Sequence, residues 1–237
     1  MNARLAFLAS FLGCIIVLAA PAGASMVSFD SGVTSTVGKV LGQTSGAKMS
    51  GMSVTFDYLY GGRSFSQTVV WKKTGRTSGG AFAVTGAGGD NKNIISLVES
   101  GKTNAGKWVL KSVRGVTVED VVIETLPGNS TFDVRQKTTT PGSGRGRTAT
   151  SLSISSPRAK VGFTYSDLVM LEGSSGPVGD LYSDLQISFS GKPVSRFSFL
   201  AGTAAVSPLP APPGLVLISS GLLWLFALGK LTWTWSG

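Results

Sequence analysis

MSVTFDYLYGGRSFSQTVVWK, residues 52–72, carries two apolar alternations separated by a pair of glycines. Val54, Phe56, Tyr58 and Tyr60 fall on every second residue, and Phe65, Val69 and Trp71 share one parity beyond them. A period of two places each set on one face of a strand, and Gly61-Gly62 supplies the turn, so the stretch predicts a β-hairpin.

Further β-like runs lie at residues 81–85, 93–98, 107–113, 116–126, 131–136, 151–155, 159–166, 180–190 and 195–201. Clusters of Gly, Asn, Asp and Ser separate most of them, and no amphipathic helix of ordinary length interrupts the series. Many short strands with turn signals predict an all-β domain, a β-sandwich or jelly roll, rather than βαβ units. Residues 25–50, low in aromatics and rich in Gly, Ser and Thr, read as a loose leading strand or a flexible lead-in. TTTPGSGRGRTATS, residues 138–151, reads as the clearest internal loop, because Pro141 and its glycines defeat both helix and central strand.

The two ends read differently. MNARLAFLASFLGCIIVLAAPAGAS opens with Arg4, continues apolar to Ala20 and presents Ala22-Gly23-Ala24, the layout of a secretory signal peptide cleaved after Ala24. The run is short for a permanent span and breaks at Pro21. Acylation of Cys14 would leave IIVLAA at a mature N-terminus, which favours the signal-peptide reading. Cleavage removes the only cysteine, so the exported domain must stand without a disulfide. A chain of about 180 residues can do so, since it buries roughly 70% of its unfolded surface.

At the other end, VSPLPAPPGLVLISSGLLWLFALGK, residues 206–230, joins a proline-rich spacer to an apolar block. Pro208, Pro210, Pro212 and Pro213 impose extended backbone and set the block apart from the domain before it. Gly214 to Gly229 is 16 residues, about 24 Å as a helix against a hydrocarbon core of about 30 Å, a marginal transmembrane helix. Trp233 and Trp235 are the rings expected at a membrane interface, and Lys230 is a cation that prefers the cytoplasmic side. The expected organisation is a signal helix over 1–24, an exported β domain over 25–205, a proline-rich motif and linker over 206–213, and a transmembrane helix with a short tail over 214–237.

This spacer, helix and basic residue resemble a bacterial C-terminal sorting signal of the PEP-CTERM type, in the variant with a Val-Pro-Leu-Pro-Ala core. The matching residues are Pro208, Leu209, Pro210 and Ala211, with Val206 displaced one place by Ser207. TPGSGRGRT (140–148), GDLYSDLQISF (179–189) and SRFSF (195–199) are also similar to stretches of exported proteins bearing such tails. The resemblance implies a protein held in the inner membrane until an exosortase, a membrane transpeptidase, cuts near the motif and passes it to the cell surface, outer membrane or medium. The chain departs from the family in having Lys230 alone where several arginines are usual, and in the extra Ser207.

Composition bounds the chemistry. The chain has no His, 21 basic and 12 acidic residues, and a formal charge of +9; removal of Arg4 and Lys230 would leave 19 basic residues and a net of +7. That balance favours acidic polymers or anionic surfaces as neighbours, with nucleic acid a poor fit for an exported protein. Arg135, Lys137, Arg145 and Arg147 are the candidate polyanion contacts, an extracellular polysaccharide being the candidate partner. Without His or a mature Cys, Ser-His, Cys-His and ordinary zinc chemistry drop out. Glu119, Asp120 and Glu124 are the one acidic cluster; strand alternation puts Glu119 with Val121 and Ile123, and Asp120 with Val122 and Glu124 on the other face. No enzyme activity, catalytic residue or cofactor is expected. GAGGDNKN (86–93) offers Asp90, Asn91 and Asn93 as candidate calcium ligands, with an ordinary hairpin turn as the simpler reading.

Three readings stand: a structural or interaction protein of the cell surface or extracellular matrix; a carbohydrate-binding module using Tyr58, Tyr60, Trp71 or Trp108; and an enzyme using two converging carboxylates. A plain membrane-anchored periplasmic protein is the alternative if the tail is not processed.

Overall fold

The computed structural model of the chain describes residues 25–32, 35–85, 92–102, 104–134 and 144–209. The described residues form sixteen strands: β1 (Met26–Phe29), β2 (Ser35–Val37), β3 (Val40–Gln43), β4 (Ser53–Tyr60), β5 (Arg63–Val70), β6 (Lys72–Lys73), β7 (Ser78–Val84) and β8 (Asn93–Ser100). They continue with β9 (Lys107–Ser112), β10 (Val116–Glu124), β11 (Ser130–Asp133), β12 (Thr150–Ile154), β13 (Lys160–Leu171), β14 (Pro177–Ser190), β15 (Arg196–Leu200) and β16 (Thr203–Val206). Short 3-10 turns at Gly46–Met49 and Leu126–Gly128 are the helical elements among them, and no described helix is long and apolar enough to cross a membrane. The expected helices over 1–24 and 214–237 lie outside the described residues.

The hairpin forms as its alternation predicts. Tyr60 pairs with Arg63, leaving Gly61 (φ 58°) and Gly62 (φ 77°) as a two-residue turn. Positive φ at both positions matches the twist of the flanking strands and is open to glycine at little cost. Val54, Phe56 and Tyr58 point inward, and Trp71 follows the hairpin into the core. Phe65 remains 43% exposed, stacked on Tyr58 with centroids 5.6 Å apart, because β5 ends the sheet on that side.

Two sheets result. The first runs β3-β16-β11-β14-β10-β4-β5, and β13 lies along the other edge of β14. Its pairs are antiparallel except that β1 and β2 join β13 in parallel. The second sheet runs β12-β15-β9-β8-β7-β6, antiparallel throughout. One hydrophobic cluster joins them, an arrangement consistent with a β-sandwich. Phe163 of the first sheet meets Phe197 and Phe199 of the second at 6.1 and 5.7 Å, and Trp71 meets Trp108 at 5.3 Å. Each such buried ring contributes roughly 1.5–3 kcal/mol through removal of apolar surface from water, and the described residues contain no cysteine to add a disulfide.

Two irregularities shape the first sheet. Val118 pairs with Tyr58 and Asp120 with Asp57, so Glu119 is an extra residue, a β-bulge. The alternation therefore shifts phase: Val118, Val121 and Ile123 are all buried, and Glu119 is not part of the inward set with Val121 and Ile123. In β13, Asp167 has φ 57°, a left-handed conformation that Asp tolerates better than most residues. Tyr165 and Leu168 on either side of it both pack on the main core, while Val169 turns to a second cluster with Val37, Val40, Leu181, Ala204 and Val206.

Residues 25–32 and 35–50, read from the sequence as a loose leading strand or a flexible lead-in, supply β1, β2, β3 and a 3-10 turn.

Candidate functional site

The chain leaves the domain at a defined point. Val206, the residue placed at the head of the sorting motif, is the last of β16, 3% exposed and packed in the second cluster. The Ser207 N–H donates to the Lys39 carbonyl at 2.9 Å, and its own carbonyl accepts from the Gly38 N–H at 2.9 Å. The Ser207 hydroxyl also accepts from the Lys39 N–H at 2.9 Å. Pro208 and Leu209 follow directly and are exposed. The fold therefore reaches two residues beyond the expected boundary at 205, and the proline motif begins where its hydrogen bonding ends. Pro210, Ala211 and Lys230 lie outside the described residues.

The basic loop divides. Arg135 and Lys137 lie outside the described residues. Arg145 is exposed, and its carbonyl accepts from the Gln43 side chain at 3.2 Å. Arg147 is tied by its backbone: its N–H donates to the Asp133 carbonyl at 2.7 Å, and its carbonyl accepts from the Gly202 N–H at 2.8 Å. This end of the loop is a seam beside β11 and β16.

Three of the four candidate sugar-stacking rings belong to the interior. Trp71 and Trp108 are fully buried, donating from Nε1 to the carbonyls of Gly46 at 2.8 Å and Ala201 at 3.3 Å. Tyr58 is 6% exposed and its phenol is pushed up by burial; Tyr60 alone is open, at 44%. A cavity of 260 Å³ lined by Ser151, Leu152, Ser153, Ile154, Ala159 and Val161 contains no ring and no carboxylate.

The carboxylates converge where alternation alone does not show it. Asp120 accepts from Ser188 Oγ at 2.6 Å and Gln186 Nε2 at 3.1 Å, and Glu124 faces Asp184 across the β10–β14 pair. Burial, then a side-chain hydrogen bond with Asp167, pushes Asp184 up to about 7; Ser183 opposes the shift, and the charges of Asp167 and Glu124 add to it.

Glu99 is the acid that sequence reading passed over. It lies on β8 between Gly79 and Trp108, faces inward with Leu97, and is fully buried with neither carboxyl oxygen in a hydrogen bond. Burial pushes it up to about 8; the Gly46 backbone favours the charged form without reaching hydrogen-bond geometry. Its space depends on glycine, since a Cβ at Gly46 or Gly106 would collide with its carboxyl oxygens.

Of the candidate calcium ligands, Asp90 and Asn91 lie outside the described residues, and Asn93 is exposed at the start of β8. Among the described residues no three His, Cys, Asp or Glu side chains are grouped to hold a metal ion. No family model matches this chain, and no curated protein or solved structure matches it either.

Proposed function

We propose that the chain is an exported bacterial surface or matrix protein whose all-β domain, a β-sandwich, is cargo for a C-terminal sorting signal rather than a catalyst. The observation that carries this reading is the abrupt exit at Ser207. The last core residue, Val206, and the first exposed motif residue, Pro208, are two positions apart. A membrane transpeptidase of the exosortase type could therefore reach the motif without unfolding the domain. The Pro-Leu-Pro-Ala stretch, the apolar block and Lys230 support the reading from sequence.

The domain itself supports a structural role. Most of its large aromatics lie in the core, Phe29, Tyr60 and Phe65 being the exposed ones, and of its described acids Glu99 is buried without a hydrogen bond while Asp57, Asp120, Glu124 and Asp184 lie along β4, β10 and β14. The test is delivery in cells. Pro208→Ala with Pro210→Ala is expected to leave the domain folded but trapped in the inner-membrane fraction, while the parent reaches the surface. Equal delivery of both would overturn the proposal.

A further inference from the structure

The outer faces of the two sheets carry opposite charge. In the second sheet Trp108 and Leu110 point inward, so Lys107, Val109 and Lys111 of β9 point outward. Arg196 is the register partner of Lys111, and Lys72 pairs with Gly80, whose Cβ direction faces the Phe82 ring while that of Gly79 faces Trp71. All four cations are exposed. The only acid in the strands of this sheet is Glu99, and it is turned into the core.

The first sheet shows the reverse over β4, β10 and β14, its strand cations being Arg63 of β5 and Lys160 of β13. Asp57 of β4 and Asp120 of β10 are register partners on the face away from Phe56 and Val121, and Glu124 and Asp184 are register partners farther along β10 and β14. β4, β10 and β14 contain no Lys or Arg. Like charges directly opposite on neighbouring strands repel, yet each face carries such a pair: Lys111 with Arg196, and Asp57 with Asp120. The spacing also matches. Lys107 lies four residues from Lys111, and Glu124 four from Asp120, about 13 Å in each case at roughly 3.3 Å per residue.

We propose that the basic outer face of the second sheet receives the acidic outer face of the first sheet of another copy, so that chains stack head to tail. Such contacts are heterologous, leave a free face at each end and extend into linear arrays. Serine, threonine, glycine and valine dominate the remaining outward positions of both faces, with Leu59 and the Phe82 ring over Gly80 as the larger side chains. The inference uses only the described sandwich and is independent of how the tail is processed.

The experiment is sedimentation velocity on the protein as recovered from its native envelope. Near 0.1 M salt the Debye length of about 10 Å screens the net positive charge but not pairs in contact; near 1 M it falls to about 3 Å. The expected result is an average mass that rises with concentration to at least about twice the single chain near 0.1 M, and returns to the single chain near 1 M. Lys111→Glu with Arg196→Glu should abolish the rise, as should Asp57→Lys with Asp120→Lys, and mixing the two variants should restore it. The milder pairs Lys111→Gln with Arg196→Gln, and Asp57→Asn with Asp120→Asn, test the same faces if a reversed variant fails to fold. A single-chain mass throughout, or association unchanged in the variants, overturns the proposal. So does capture of dextran sulfate by the Lys111–Arg196 face without self-association, which would assign that face to a polyanion.

Discussion

Ser207 and Lys39 clamp the end of the domain through two hydrogen bonds of 2.9 Å, one to the Lys39 carbonyl and one from its N–H to the Ser207 hydroxyl. The clamp joins the last turn of the fold to the segment before β3, residues 168 apart in sequence. Ser207→Ala removes the hydroxyl acceptor and should cost about 1 kcal/mol, read by urea unfolding. Ser207→Pro removes the N–H as well and should cost more and loosen β16, which hydrogen exchange at Val206 would report.

The Trp71–Trp108 contact fastens the hairpin to the second sheet. Trp108→Ala should destabilise by about 3–5 kcal/mol through lost burial and the cavity left behind. Trp71→Phe keeps much of the apolar volume but orphans the Gly46 carbonyl, an expected loss of about 1–3 kcal/mol. Thermal melts of the two variants separate packing from hydrogen bonding.

Glu99 makes the fold sensitive to alkali. Its folded-state pKa is raised from 4.5 to about 8, so the folded chain holds this proton more tightly than the unfolded chain does. Its contribution favours the folded state below about 4.5 and is lost progressively as pH rises toward 8. Glu99→Gln should flatten that part of the pH profile. Gly106→Ala, which drives a methyl into the carboxyl oxygen, should destabilise at every pH. A profile that stays unchanged in Glu99→Gln would show that the carboxyl is solvated.

Asp184 acts in the same direction over a lower window, from 3.8 to about 7. Asp167→Asn removes the neighbouring charge and should bring the Asp184 titration down, measured by carboxyl chemical shifts. If the titration of Asp184 is the same in Asp167→Asn, the pairing of these two side chains is wrong.

How far sequence carried the fold depended on alternation. The β4–β5 hairpin, the seeds of β7 to β15 and the all-β class were legible because inward residues recur every second position. β1 to β3 and β16 were not, since Val37, Val40, Ala204 and Val206 are small, few and buried in a second cluster that only the folded sheet creates. Glu119 was misplaced because a bulge adds one residue without marking the sequence. The left-handed Asp167 cut β13 short in the same way, hiding its continuation to Leu171. The acidic and basic faces were illegible for a different reason: Lys111 with Arg196, and Asp57 with Asp120, meet only through strand order. Nothing in the sequence singled out Glu99, because the space for its buried carboxyl is left by glycines on two other segments, Gly46 and Gly106.

On the proposed function, a domain closed at Ser207 is released from its tail at the exposed proline motif. Intact mass and terminal peptide mapping of the protein from native envelope and medium, in cells with and without an exosortase-type enzyme, test it most directly. The expected result is a chain beginning near Ser25 and ending close after Ala211 only where that enzyme is present. Retention of Trp235 in both strains would contradict it and leave the tail a plain membrane anchor.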